Sequence, residues 1–232
     1  MVQRHFEGQF PLPHHENLFK YLRIHICGDE ILYRDIPWAL AGAAVTLEAL
    51  NHYDSDKTMP SQVGDLFPNV DLWVLEPAHS DNKPRQPVSV HSWELVKGKR
   101  RVIFVGIPGP FTPGCSKSHV PGFIETALRL QAKGIDDIYV ISTADAFVMD
   151  AFARTLGTDK QRQPLAITFL ADGNHALTKA LDMELDGSAR GMGMRMQRFA
   201  MVVNGDGVIE DLLVDPSGHI KFSRAENVLS RL

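Results

Sequence analysis

From about residue 61 onward, short runs of branched apolar residues alternate with longer stretches in which apolar side chains recur every three or four positions. Leu72 to Leu75, Val102 to Pro108, Ile138 to Ser142, Ile167 to Leu170, Phe199 to Val203 and Val208 to Val214 are rich in Val, Ile and Phe and bounded by Gly, Asp or Pro, which predicts strands. Between them, Ser116 to Lys133 sets Val120, Phe123, Ile124, Ala127, Leu128 and Leu130 at helical spacing and stops at Gly134. Further helices are predicted at Ala146 to Leu156, Ala176 to Leu181 and Ala225 to Leu232. This order implies an α/β fold, a central sheet with helices on both faces. Asn204-Gly205-Asp206-Gly207 between the last two strands predicts an antiparallel hairpin, so the sheet is mixed.

The first 60 residues follow another pattern. Pro11, Pro13, His14 and His15 interrupt any early periodicity, one helix is predicted over Ile36 to His52, and Asp54, Ser55, Asp56 and Pro60 read as a linker. The expected organisation is an N-terminal extension, 1–60, and a domain, 61–232.

Composition narrows the function. With 24 Lys plus Arg against 28 Asp plus Glu, the net charge of −4 gives no basic field for nucleic acid or anionic lipid. The apolar stretch from Ile36 to Leu50 is too short for a membrane span and contains Glu48. No basic segment followed by an apolar one opens the chain, and Glu7, Glu16, Asp29 and Glu30 are unlike the acid-poor composition of a transit peptide, so neither a secretory nor a transit peptide is expected. Two cysteines, Cys27 and Cys115, make no disulfide framework and suit a reducing compartment, the cytoplasm. Ser230-Arg231-Leu232 is similar to a peroxisomal address, although Leu232 also fits the apolar face of the last helix.

The chemistry concentrates after the strand ending at Pro108. The loop Gly-Pro-Phe-Thr112-Pro-Gly leads into a helix that begins near Cys115. A thiol at a helix N-terminus meets unpaired N–H groups and the positive end of the helix dipole, both of which favour the nucleophilic thiolate. Pro108 has no N–H and can wall the pocket against water, and the Thr112 hydroxyl can reach back toward the sulfur. No Cys-x-x-Cys, His-Glu-x-x-His, phosphate loop or dinucleotide loop occurs, so neither a metal site nor a cofactor is expected. The methionines of Gly191-Met-Gly-Met-Arg-Met196 read as pocket or interface packing.

Pro108, Thr112 and Cys115 resemble the Pro-x-x-x-Thr-x-x-Cys motif of peroxiredoxins. The longer string PGPFTPGCSKSHVPGF is similar to the subgroup comprising plant type II and mammalian fifth-type members. The resemblance continues through VKGKRRVIF, DDIYVISTADAFVM, FLADGN, GMGMRMQRFAMVV and SRAENVL, covering about 61–232. Pro110 stands where the subgroup usually has alanine, and Thr143-Ala144-Asp145 where it has Val-Asn-Asp. Phe222 and Val140 lie where some relatives carry a second cysteine.

The resemblance implies a thioredoxin-like fold and a thiol-dependent peroxidase that reduces hydrogen peroxide and organic hydroperoxides through a sulfenic acid on Cys115. It implies reduction by glutathione with glutaredoxin, or by thioredoxin, and a homodimer. Ionisation alone is too small an effect: about 3% of a free thiol is thiolate at pH 7, so full ionisation gains about 30-fold. Charge developing as the O–O bond stretches must also be stabilised. By resemblance the cation is Arg198, the donors are the Thr112 hydroxyl and the N–H groups of Gly114 and Cys115, and Arg195 supports them from a loop. His119, one helical turn after Cys115, either tunes the thiolate or makes a structural hydrogen bond. Cys27 reads as a bystander, with a resolving role as the alternative. The competing class is a non-enzymatic redox sensor or interaction protein on the same fold.

Overall fold

The computed structural model describes residues 23–26, 29–32, 61–77, 84–158, 165–215 and 219–232. The chain divides into two compact units, Met1–Ser55 and Asp56–Leu232. In the first, β1 (Arg23–Ile26) and β2 (Asp29–Leu32) pair antiparallel. The helix expected over Ile36 to His52, and Cys27, lie outside the described residues.

The second unit is built on seven strands: β3 (Asp71–Leu75), β4 (Pro87–His91), β5 (Arg101–Gly106), β6 (Asp137–Ser142), β7 (Ala166–Ala171), β10 (Arg198–Asn204) and β11 (Ile209–Asp215), with β8 (Glu184–Asp186) and β9 (Met194–Met196) forming a separate two-stranded ribbon. The sheet order is β11-β10-β5-β6-β7-β3-β4. Only β5, β6 and β7 run parallel to one another; β10 joins β5 antiparallel, and β10–β11 is the expected hairpin. β6 is buried along its whole length, which is why its apolar run is unbroken rather than alternating.

Two apolar layers enclose the sheet. On one face Ile103, Val105, Ile138, Val140, Ala200 and Val202 pack with α2 (Val120–Ala132), α3 (Ala146–Thr155) and α5 (Ala225–Arg231). On the other, Val102, Phe104, Ile141, Phe199 and Met201 pack with α1 (Ser92–Val96) and α4 (Ala176–Ala180). β4, α1 and the β8–β9 ribbon are additions to the predicted elements. Each is three to five residues long, too short for periodicity to stand out, and Pro87 opens β4 where a sheet edge tolerates a missing donor.

β10 presses against β5 at Gly106, whose register partner is Phe199. A Cβ at Gly106 would overlap the Phe199 ring. Gly106→Ala is therefore expected to destabilise the domain by about 1–3 kcal/mol through overpacking, seen as a lower midpoint in urea unfolding with an unchanged slope.

Candidate active site

The site forms beyond the carboxyl end of β5. Ile107 continues the strand with one bond to the Ile141 carbonyl, 2.9 Å, and Pro108 and Gly109 stay buried. The chain then turns through Phe111, which holds a left-handed φ of 62°, uncommon for an aromatic residue. The Phe111 ring meets the buried Phe152 edge-on, with centroids 5.2 Å apart, and this contact holds the strained turn.

Thr112 caps the following helix. The Ser116 N–H bonds the Thr112 carbonyl at 2.9 Å, so Pro113, which has no N–H, takes the first helical position. The N–H groups of Gly114 and Cys115 lie in this first turn, ahead of the hydrogen-bonded ladder. The sequence predicts a regular α-helix from Ser116; instead Cys115–His119 form a π-type turn in which the Val120 N–H reaches the Cys115 carbonyl. Pro121 supplies the cause: it has no proton for the Lys117 carbonyl, and its ring would collide with that oxygen in a regular helix.

The turn buries Cys115 completely, and Arg198 is only 3% exposed. Arg198 opens β10, and its Nη2 donates to Cys115 Sγ at 3.4 Å. A Cβ on Gly114 would come within 3.3 Å of that same Nη2 and of Ile220 Cδ1, so glycine leaves the guanidinium room to lie over the turn. A fixed cation against sulfur stabilises negative charge there, and its planar fork can serve a second acceptor.

The Thr112 hydroxyl does not fill the expected donor role. It donates to the Gly109 carbonyl at 2.9 Å, and a carbonyl can only accept. What Thr112 can offer a peroxide is a lone pair, and donation falls to the N–H groups of the first turn. Arg195 lies within β9 rather than in a loop, and its Nε donates to the Met192 carbonyl at 2.6 Å. With Pro110, Thr143, Asp145, His175 and Met192 it borders a cleft of about 610 Å³.

Three further residues join the site. His119, 2% exposed, sets Nε2 2.9 Å from the Ser223 carbonyl and 3.0 Å from its hydroxyl, and that hydroxyl donates to Asp215 at 2.8 Å. Burial, with the charge of Arg198 adding to it, lowers the His119 pKa to about 4 against the opposing pull of Ser223 and Asp215. Burial alone would raise the Asp215 pKa, but the N–H groups of Phe222, Ser223 and Lys221 and the Ser223 hydroxyl together hold it below the usual carboxylate range. The spacing of His119 from Cys115 marked it as a candidate; Asp215 and Ser223 gave no signal, because the sequence around them carries no periodicity or motif that singles them out.

A histidine kept neutral by the fold makes stability depend on pH. Between pH 6.5 and about 4 the unfolded chain takes up a proton at this residue that the native state refuses, so stability present above pH 6.5 is lost as pH falls. Wild type is expected to lose about 3 kcal/mol more than His119→Gln between pH 7 and pH 4, measured by urea unfolding at each pH. Parallel stability curves would contradict this.

The redoxin family model matches residues 62–229. Peroxiredoxin-2C of Oryza sativa subsp. japonica is 42% identical over 173 residues, 75% of this chain and 99% of that protein, and Peroxiredoxin-2B of Arabidopsis thaliana is 38% identical over the same shares. The crystal structure of reduced Prx3 of Vibrio vulnificus in complex with hydrogen peroxide superposes with a TM-score of 0.63 at 36% identity, covering 74% of this chain and 99% of that one. This chain belongs to the peroxiredoxins, as a type II member with a thioredoxin-like fold and thiol-dependent peroxidase activity.

Proposed function

We propose that Cys115 is the thiol that meets the peroxide, with Arg198 as the fixed cation, Thr112 as the hydroxyl that orients the substrate, and Gly114 and Cys115 as the backbone donors. The observation that carries this reading is the guanidinium 3.4 Å from a fully buried sulfur in the first turn of a helix. The thiolate attacks one peroxide oxygen, an S–O bond forms and the O–O bond breaks. The leaving oxygen takes a proton and departs as water or an alcohol, and Cys115 becomes a sulfenic acid. Negative charge moves from sulfur to the leaving oxygen during this step. A charge-assisted hydrogen bond of about 1.5–3 kcal/mol to that oxygen gives roughly 10- to 150-fold, so two acting together supply an acceleration well beyond ionisation.

Pro108, buried and without an N–H, walls the sulfur against water, and the cleft that Arg195 borders with Pro110 is assigned to the organic part of a hydroperoxide. Two thiol equivalents reset the enzyme: one condenses with the sulfenic acid and releases water, and the second displaces Cys115 from the mixed disulfide. Glutathione with glutaredoxin, or thioredoxin, fills that role, with Cys27 a bystander. Phe111, Phe147 and Met194, all exposed large apolar side chains, support a homodimer that covers them. The sparse cysteines support the cytoplasm as the compartment.

Stopped-flow oxidation by hydrogen peroxide with intact mass, in the presence and absence of a sulfenic-acid trap, tests the assignment. Cys115→Ser is expected to abolish the reaction, while Cys27→Ser keeps the wild-type rate and a trapped sulfenic acid. A wild-type product lighter by two hydrogens and absent from Cys27→Ser would instead make Cys27 the resolving thiol. A rate near that of free cysteine would favour a redox sensor. Thr112→Val is expected to lose roughly 2- to 10-fold in the second-order rate, with Thr112→Ser close to wild type.

A further inference from the structure

A single carboxylate stands behind both halves of the site. Asp215 closes β11 and is the register partner of Arg198, the first residue of β10, and residues so paired project from the same face of a sheet. It is 2% exposed, and its oxygens accept the N–H groups of Lys221 at 3.1 Å, Phe222 at 3.0 and 3.2 Å and Ser223 at 3.0 Å, besides the Ser223 hydroxyl at 2.8 Å. Ser223, fully buried, turns its carbonyl and its hydroxyl oxygen to His119 Nε2. Because the carbonyl only accepts, Nε2 carries the proton and the ring is fixed in one tautomer. His119 ends the π-type turn that Cys115 begins. A chain of hydrogen bonds thus runs from the end of β11, the register neighbour of the residue that carries the guanidinium, to the turn that carries the sulfur.

The fold has other means of holding these parts together. α5, which follows Ser223, is seated by Ala225, Val228 and Leu229 in the same apolar layer as Val120 and Phe123 of α2. A buried polar chain adds what apolar packing does not, one fixed geometry, because each bond has a direction and leaving any of them unmade is costly. The contact that needs such precision is the 3.4 Å approach of Arg198 to Cys115.

We propose that Asp215 and Ser223 are positioning residues for the peroxide reaction: acting through His119, they hold the Cys115 turn at the separation from Arg198 where the guanidinium meets the sulfur. The proposal rests on Cys115 being the reacting thiol, and its test keeps the two apart.

Ser223→Ala, Ser223→Thr and Asp215→Asn are prepared in a Cys27→Ser background, so that Cys115 is the one thiol. For each, the rate with hydrogen peroxide, the ultraviolet absorbance of the thiolate against pH and the melting temperature are measured. Ser223→Ala is expected to lower the rate by about tenfold and to move the thiol titration to higher pH, and Ser223→Thr to return both toward the parent. Asp215→Asn, if it folds, is expected to do more than Ser223→Ala; if it does not, the serine pair decides alone. A lower melting temperature in Ser223→Ala with unchanged rate and titration would reduce the network to a structural role and overturn the proposal. A parent that does not react with peroxide would overturn the assignment of Cys115, while the titration would still report whether the serine positions that thiol.

Discussion

A guanidinium and a thiol, both withdrawn from water, face each other at 3.4 Å, and most of the local structure is explained by the need to keep them there. An arginine this deeply buried carries a desolvation penalty of several kcal/mol, which a nearby negative charge offsets. In the proposed reaction the attacking sulfur brings that charge to the site, and the oxygen leaving the peroxide is its successor. The same fork that stabilises the sulfur can therefore follow the charge as it moves, so the transition state is bound better than the ground state.

Keeping the pair in register explains features that look unrelated. Gly114 has no side chain because one would press on Nη2, and Pro121 opens the first helical turn because its ring cannot accommodate the Lys117 carbonyl. Phe111 holds an unfavourable φ under the anchorage of Phe152. His119 stays neutral beside the arginine, which spares the site a second positive charge that would compete for the thiolate. The strained φ of Phe111 and the π-type turn Cys115–His119 lie in the loop and turn that deliver the sulfur, where strain and function commonly coincide.

The segment that carries the sulfur was legible in the sequence, because its spacing is local chemistry: a proline-bounded strand end, a helix start and a cysteine in its first turn. Arg198 was legible only through resemblance, since nothing within its own strand distinguishes it from a surface arginine. The direction of the Thr112 hydroxyl was not readable, because it depends on where the Gly109 carbonyl lies once the loop closes. Asp215 and Ser223 stayed hidden for a related reason: the bond between Ser223 and His119 spans 104 positions, and Asp215 reaches that pair only through Ser223. β5, β6 and β10 were legible because burial on both faces writes long apolar runs, whereas β4 and the β8–β9 ribbon leave too few residues for any period.

The central claim is that Arg198 acts on the charge moving through the peroxide and not only on the ionisation of Cys115. The direct measurement compares two reactions of Cys115, with hydrogen peroxide and with a neutral alkylating agent, in wild type and Arg198→Lys. Both reactions need the thiolate, but only the first develops charge on oxygen. Arg198→Lys is expected to slow peroxide reduction by roughly 10- to 100-fold while alkylation changes much less, because an ammonium keeps the positive charge and loses the planar fork. An equal loss in both reactions would contradict it, leaving ionisation of the thiol as the whole contribution of the arginine.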